Sequence, residues 1–600
     1  MTACEKSCEA KSKSDCIRVQ RTRGFPVVLA HPSARREALD IGYTPWVSRT
    51  LSQHLVDAAD RYGDHPFVVT DSHTYTYADM RRWSTELAGG LLELGIQPGE
   101  HIAVVMANHP EFVALKFAIS MVGAVSVPVN FLLRERELGY VVQQSDAVAL
   151  ITMDRFRNLD YIAALDSLMP GWEECGGGNA FPMLRNVIVF SNDQAAHEWR
   201  TLDDLSAMKT PESFECLGAI EAIADPMSPS DILYTSGTTG NPKGVILTHD
   251  MVVRSAYASA FGRGLFPGFR TTYSLPMYHV FGYIECMLAV SFVGGAVIPR
   301  LLFDPVDILS AVRRHGAHEI ACVPTMTLAL IDEARARTYD LSTIAMMYSS
   351  GGPAPVTIFD EMIEVFAPEE MVHGYGQTET TAAMTSALSS DSDDFMRCSN
   401  GRFRLAGAAG DPLLGGVLAV YKTIDIVTGE DTPSGGRGEL VVRGPAVTAG
   451  YYNKHDETVA AFDANGWLRT GDIGFIDEDG CVHLVGRLKE TFRCGGEMVM
   501  PREIELVLAE HPGVVQAHVV GIPHPRMGEV GCAVIVADPG RRPSEADLIA
   551  LCTERLARFK VPSSVLFFAA EELPMTVTGR VQKFRLSEMA SQRLNETPGL

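Results

Sequence analysis

The stretch Asp231-Ile232-Leu233-Tyr234-Thr235-Ser236-Gly237-Thr238-Thr239-Gly240-Asn241-Pro242-Lys243-Gly244-Val245-Ile246-Leu247-Thr248-His249 decides how this chain is read. A short apolar run, Ile232 to Tyr234, gives way to hydroxyl and glycine residues from Thr235 to Gly240. After Lys243 and Gly244 a second apolar run, Val245 to Leu247, begins. That order predicts strand, loop, strand. Glycine N–H groups, the hydroxyls of Thr235, Ser236, Thr238 and Thr239, and the Lys243 ammonium suit polyphosphate oxygens: glycine lets the backbone approach closely and lysine supplies charge. A Walker loop needs glycine directly before its lysine and Ser or Thr after it. Here Pro242 precedes Lys243 and Gly244 follows, which disfavours ordinary P-loop chemistry. Taken alone, such a loop also reads as a surface turn.

The rest of the chain bounds the answer. At 600 residues it is long enough for roughly four domain-sized units or one large fused core. Lys and Arg total 51 against 74 Asp and Glu, a net charge of −23, which argues against a general nucleic-acid binder or an anionic-membrane protein. Any polyanionic ligand must be held by a local site. The longest apolar stretches, Phe117 to Val129 and Met287 to Ile298, are too short and too broken by Gly or Pro to span a bilayer. The N-terminus lacks the apolar core of a signal peptide, so a cytoplasmic enzyme is expected. Twelve scattered cysteines read as reduced thiols.

Taken in order, residues 1–45 carry little apolar periodicity and are expected to be a tail, at least partly disordered. From Leu51 the pattern is α/β. Ile102 to Met106 reads as a buried strand, Pro110 opens a helix that Gly123 closes, and Val125 to Val129 resumes a strand: a βαβ unit with a parallel sheet. Tyr273 to Leu275, Ala296 to Ile298 and Glu319 to Val323 continue the alternation, with a helix over Val306 to Arg314. Past about Ala408 the runs Val417 to Ile426 and Glu439 to Arg443 predict a barrel-like β subdomain. A compact α/β unit then begins, with helices near Pro501 to Glu510 and Ser544 to Phe559 and strands near Val514 to Gly521 and Ser564 to Phe568. The expected division is 46–488 and 489–600, with the boundary at Lys489.

The Asp231–His249 segment closely resembles the phosphate-binding signature of the adenylate-forming superfamily, which includes acyl-CoA ligases, peptide-synthetase adenylation domains and luciferases. Further segments match in order, spanning about Tyr234 to Arg585. The resemblance implies that family's fold: a large N-terminal domain of parallel α/β subdomains plus a β-barrel-like subdomain, and a small mobile C-terminal α+β domain. Ser349-Ser350-Gly351-Gly352-Pro353-Ala354 is similar to its adenine-binding turn, and His373-Gly374-Tyr375-Gly376-Gln377-Thr378-Glu379 to its nucleotide and magnesium segment. By position, Tyr375 would stack on adenine, Thr378 would contact phosphate, and Glu379 would hold Mg²⁺, a hard cation that takes oxygen ligands. In Gly466 to Asp472, the Asp472 carboxylate would accept both ribose hydroxyls, with Arg487 nearby.

Pro276-Met277-Tyr278-His279-Val280-Phe281-Gly282 resembles the helix opening that lines the acyl pocket, with His279 as a gate beside the acyl carboxylate. Met347 and Tyr348 join the implied pocket. No acid in that opening would pair a substrate amine, which favours a hydrophobic carboxylic acid over an amino acid. Gly486 to Glu503 resembles the hinge motif. Lys489 takes the hinge position, and Cys494, Gly495 and Gly496 form part of a channel for the pantetheine arm of coenzyme A. In Leu573 to Lys583 the family places its catalytic lysine directly after the glycine, and here that residue is Arg580. A planar guanidinium is larger than an ammonium and wants fork geometry. Loss of one placed donor commonly costs about 10²–10³ in rate.

Adenylation is therefore expected to suffer, while thioester formation from a ready-made acyl-AMP survives. The profile resembles non-adenylating acyl-CoA ligases of platensimycin-type diterpenoid biosynthesis, which implies a bulky, polycyclic diterpenoid acid and a separate adenylating enzyme. A complete ATP-dependent synthetase, with Arg580 working slowly or Lys583 substituting, and a silent acyl-adenylate-binding protein are the alternatives.

Overall fold

A computed structural model describes residues 30–191, 198–235, 242–352, 358–388, 391, 393–575 and 581–596. The quoted stretch forms two antiparallel strands, Pro229–Thr235 and Lys243–Thr248, in register with Lys243 opposite Thr235 and Gly244 opposite Tyr234. They edge a six-stranded sheet that continues through Val125–Val129, His101–Val105, Ala147–Met153 and Asn186–Phe190, all parallel. The expected βαβ unit lies here. Its crossover helix, Pro110–Met121, starts on proline, whose missing N–H is no loss in a first turn.

A nine-stranded sheet faces this one. Its parallel centre runs Glu370–His373, Met346–Ser349, Glu319–Cys322, Arg270–Tyr273, Ala296–Pro299 and Pro66–Val69, and antiparallel strands close both edges. One core joins the two sheets across the helices Pro110–Met121 and His249–Arg263, both buried on nearly every side. A second core, around Ile308, Leu309, Val312, Met347 and Phe359, covers the other face of the nine-stranded sheet.

Within the first core, Lys116 of the crossover helix pairs with Asp231 at the start of the phosphate-side strand, both side chains essentially inaccessible. Ser230 donates to the same carboxylate at 2.8 Å, and Lys116 Nζ lies 4.4 Å from the Tyr283 ring centre. The pair ties the strand that carries the loop to the helix beneath it.

The β-rich region is a four-stranded antiparallel sheet, Val420–Ile424, Gly438–Arg443, Leu468–Ile476 and Val482–Arg487. Bridges Arg402–Cys481 and Leu405–Val417 join it to the edge of the larger sheet. Beyond it, the strands Phe492–Cys494, Glu497–Val499, Val514–His524, Gly528–Ala537 and Ser564–Phe567 form another sheet. Successive residues of Gly528–Ala537 feed opposite cores, Ile535 packing with Ile504 and Leu548, and Val534 with Leu586 and Ala590. The sequence reading missed this strand, although Val530 to Ala537 is a continuous apolar run.

The tail expectation is corrected for residues 30–45. Pro32–Ile41 is a helix, and its Arg35 donates to Glu370 at 2.6 Å with a side chain only 5% exposed. Asp40 accepts from the Tyr257 hydroxyl and the Ala408 amide, both at 2.6 Å. The segment is anchored by charge and hydrogen bonds, so apolar periodicity does not reveal it. Residues 1–29 lie outside the described residues. No described helix is long and apolar enough to cross a membrane.

Candidate active site

The two strands of the opening stretch deliver Thr235 and Lys243 side by side. Ser236, Gly237, Thr238 and Thr239 lie outside the described residues, as do Pro353 and Arg580. Lys243 Nζ sits 4.8 Å from the ring centre of Tyr451, a cation–π contact. The Tyr451 hydroxyl donates to Glu379 Oε1 at 3.0 Å. Tyr451 reaches this position because its backbone bridges Val245 and the next amide donates to the Gly244 carbonyl at 2.8 Å. Sequence reasoning missed it: only pairing between segments distant in the chain brings it here.

Glu379 lies in a short 3₁₀ turn, Thr378–Thr380, and burial raises its pKa above the usual carboxylate range. Thr378 beside it is buried. Among the described residues no group of three or more His, Cys, Asp or Glu is placed to hold a metal ion. One partly buried carboxylate still fits a hard cation that takes its other ligands from phosphate and water, and Mg²⁺ commonly binds this way. At Gly376 a side chain is excluded by the chain itself: a Cβ there would stand 2.0 Å from the Ala382 carbonyl oxygen. Its glycine serves the fold of the turn. Gly374 is crowded in the same way by Thr385.

Asp472 is 3% exposed and already engaged on both oxygens. The Tyr375 hydroxyl donates to Oδ2 at 2.6 Å and Arg487 Nε to Oδ1 at 2.8 Å. Each carboxylate oxygen retains acceptor capacity, so the pair can fix Asp472 and leave it able to accept further hydroxyls. The Tyr375 ring packs against Tyr421 with centroids 5.7 Å apart. Lys489 follows in the turn Leu488–Glu490. Its pKa is lowered by burial first, then by the Lys243 and Arg487 charges, while Glu379 acts in the opposite direction. Lys243, Lys489, Arg487, Glu379 and Asp472 thus share one electrostatic neighbourhood. Gly351 and Gly352 follow the strand Met346–Ser349, with Gly351 at φ +90°.

In the segment expected to line an acyl pocket, Tyr278, His279 and Val280 lead into a π-helix, Phe281–Leu288. The Phe281 amide donates to His279 Nδ1 at 3.3 Å, so the neutral ring carries its proton on Nε2. Burial lowers the pKa of His279 to about 4. The Phe281 and Tyr348 ring centres are 4.9 Å apart, and a Cβ on Gly351 would meet Phe281 at 3.6 Å. Tyr278 packs edge-on against Phe131.

Two expected members do not join this wall. Met347 is on the opposite face of its strand from Tyr348 and packs in the second core, as strand alternation requires. Gly282, in that π-helix, presents its Cβ direction to the Leu275 and Pro276 carbonyls, 2.6 and 2.5 Å away, so glycine there lets the helix approach the chain before it.

Cys494 ends a strand and is 6% exposed. Gly495 and Gly496 make the hairpin turn after it, and the Gly495 amide donates to the Met527 carbonyl at 2.9 Å. A Cβ on Gly495 would strike Met527, whereas nothing lies within 4 Å of one on Gly496. Lys583 is 15% exposed, donates to Glu505 at 2.6 Å and lies 3.3 Å from Glu490.

The family profile described as AMP-binding enzyme matches residues 55–452, and that of the AMP-binding enzyme C-terminal domain matches 503–580. The chain belongs to the AMP-binding enzyme family and is an acyl-CoA ligase-type enzyme.

It is 35% identical to the putative acyl-CoA synthetase YngI of Bacillus subtilis, over 92% of this chain and 98% of that protein. It is 31% identical to a (7a-methyl-1,5-dioxo-octahydro-1H-inden-4-yl)propanoyl:CoA ligase of Mycobacterium tuberculosis, over 90% and 99%. The crystal structure of ATP-bound MatB from Rhodopseudomonas palustris superposes with a TM-score of 0.77 at 26% identity, covering 90% of this chain and 99% of that one.

Proposed function

We propose that this enzyme transfers a bulky hydrophobic acyl group from acyl-AMP to coenzyme A and is impaired in making the adenylate itself. The carrying observation is Arg580 at the position where the family resemblance places a lysine. The structure adds support from Lys583, the nearest alternative cation in that motif, which is held by Glu505 and Glu490 within the C-terminal unit.

In this reading 46–488 binds the adenylate and 489–600 turns about Lys489. Lys243, with Thr235, Ser236, Gly237, Thr238 and Thr239, holds the phosphate. Thr378 assists, Asp472 and Arg487 hold the ribose, and Gly351, Gly352, Pro353, Gly374, Tyr375 and Gly376 frame the adenine. Glu379 is the ligand for Mg²⁺, which would supply positive charge to the phosphates. The coenzyme A sulfur, as thiolate, attacks the acyl carbonyl carbon. The C–S bond forms, the bond to the phosphate oxygen breaks, and AMP leaves. His279, neutral and protonated on Nε2, is a donor for the oxyanion of that addition. Holding both reactants supplies much of the acceleration. Cys494, Gly495 and Gly496 border the path of the pantetheine arm.

Phe281 and Tyr348 favour an apolar, ring-bearing acid. The Mycobacterium tuberculosis relative, named for a fused-ring dioxo acid, supports that substrate class. A separate adenylating enzyme and a cytoplasmic location complete the proposal. The second reading is a complete ATP-dependent synthetase, favoured by the whole-length match to proteins named synthetases and ligases.

A split assay separates the two. One arm offers free polycyclic and aromatic acids with ATP, Mg²⁺ and coenzyme A; the other offers the matching synthetic acyl-adenylates with coenzyme A. Product from the adenylates alone, with the first arm restored by Arg580→Lys, is expected. Robust product from free acid and ATP would leave a complete synthetase.

A further inference from the structure

The acyl wall and the nucleotide segment meet at a buried carboxylate that the mechanism above does not use. Glu285 lies in the π-helix Phe281–Leu288, and its side chain is 3% exposed. π-helical turns are rare and concentrate at functional sites. Oε1 accepts from Arg404 Nη1 at 2.9 Å and from the Ala383 amide at 3.0 Å. Oε2 accepts from Ser259 at 2.6 Å, from the Tyr348 hydroxyl at 3.1 Å and from Arg404 Nη2 at 3.1 Å. A second buried arginine, Arg263, donates through Nη2 to the Glu285 carbonyl and through Nη1 to both Glu319 oxygens, at 2.7 and 2.8 Å. Burial opposes ionisation of Glu285, but the Arg404 and Arg263 charges outweigh it and hold its pKa below the ordinary value.

Two of the partners, Tyr348 and Ala383, belong to different parts of the site. Tyr348 is the ring that faces Phe281 on the acyl wall. Ala383 closes the turn that holds Glu379, its backbone bridging Gly376. Two residues earlier in the π-helix, on the opposing side, the Tyr283 hydroxyl lies 3.4 Å from Asp231 of the phosphate-side strand Pro229–Thr235. The π-helix is therefore anchored on one flank to the strand entering the phosphate loop and on the other to the turn after Glu379. A buried, fully bonded ion pair contributes little net stability compared with apolar residues of the same volume. Its geometric effect is to hold donors from four separate segments, Ser259, Tyr348, Ala383 and Arg404, against one carboxylate.

We propose that Glu285 is a positioning residue that couples acyl fit to nucleotide grip, by fixing the π-helix, the Tyr348 ring and the Ala383 turn to one carboxylate. This inference rests on the acyl-adenylate reading above. Such coupling is reciprocal: an acyl group that seats against Phe281 and Tyr348 tightens the nucleotide segment, and a bound nucleotide sharpens acyl selection.

The test uses the full chain with Glu285→Gln, which keeps the shape and removes the charge, and with Ser259→Ala, which removes one donor from a helix outside the site. Wild-type protein turning over an acyl-adenylate with coenzyme A first establishes the parent reading. With that in hand, Glu285→Gln is expected to raise KM for the adenylate about tenfold or more and to weaken AMP binding by calorimetry several-fold. KM for coenzyme A should stay within twofold. Ser259→Ala is expected to move adenylate KM and AMP affinity in the same direction, about threefold. Should Glu285→Gln fail to fold, Ser259→Ala is read alone by the same criterion. Adenylate KM and AMP affinity both within twofold of wild type in the folded variant would overturn the coupling, as would equal increases in both KM values. Inactivity of the wild-type protein toward every adenylate would instead overturn the parent reading, and AMP calorimetry on the variants would still report on Glu285.

Discussion

The Lys583 ammonium donates to Glu505 Oε1 at 2.6 Å, and the same carboxylate oxygen accepts from the Val519 amide at 2.9 Å. Lys583 thus neutralises a buried acid of its own unit. Replacing it by methionine is expected to leave the rate of thioester formation from acyl-adenylate within about threefold while lowering unfolding free energy by about 1–3 kcal/mol, the cost of stranding a buried acceptor. Steady-state rates and urea denaturation of the same preparation measure both. A hundredfold loss of thioester rate in a folded protein would give Lys583 a place in the chemistry.

Tyr451 touches Glu379 through its hydroxyl and Lys243 through its ring. Tyr451→Phe keeps the ring, and Tyr451→Ala removes both contacts. A cation–π contact is worth about 0.5–1 kcal/mol at such a site. AMP affinity should therefore change little in Tyr451→Phe and fall about three- to fivefold in Tyr451→Ala. Titration calorimetry distinguishes the two, and equal losses would assign the effect to the hydroxyl.

Removal of one partner of a buried pair leaves an uncompensated charge. Lys116→Met is expected to cost about 3–5 kcal/mol. The double variant Lys116→Met with Asp231→Asn should recover part of that loss, because the charge left behind is gone. Chemical denaturation of the single and double variants checks the sign of the interaction. A double variant no more stable than the single one would contradict it.

Burial holds the imidazoles of His54 at about 3, and of His249 and His279 at about 4. In the unfolded chain each takes its proton near pH 6.5, so between about pH 6.5 and 4 the unfolded state binds more protons than the folded one. Stability therefore falls as pH drops through that window, by at most about 1.4 kcal/mol per pH unit for each imidazole. Urea midpoints should change little from pH 7.5 to about 6.5 and decline from there to 4.5, less steeply in His54→Gln. For the same reason no inflection from His279 is expected in the thioester pH–rate profile between pH 5.5 and 8. One near 6.5 would mean that the ring is solvated.

Some of this site is visible in the residue order. Thr235 and Lys243 stand where a strand–loop–strand reading puts them because a tight antiparallel pair is set by local alternation and turn chemistry. The acyl wall was legible only in part. Tyr348 and Met347 are neighbours that both suit a core, and which of them faces Phe281 depends on which side of the strand each core occupies. Gly282 and Gly376 fall in segments expected to line the acyl pocket and to hold the nucleotide, and their missing side chains make room for carbonyls of the chain itself. The Pro32–Ile41 helix buries one apolar side chain, Leu39, beside the ion-paired Arg35, too little apolar pattern to be read from the sequence.

What the sequence determined alone is what short range can specify: the alternation of strands and helices, the turn signals, the order of chemically distinctive segments, and the presence of Arg580. Tertiary structure decided which distant residues share a carboxylate. Tyr451 reaches Glu379, Tyr375 reaches Asp472, and Ser259, Tyr348, Ala383 and Arg404 converge on Glu285 only once the sheets are stacked. The physical reason is burial. Out of water an ionised group must find its partners inside the protein, and those partners are chosen by packing rather than by distance along the chain.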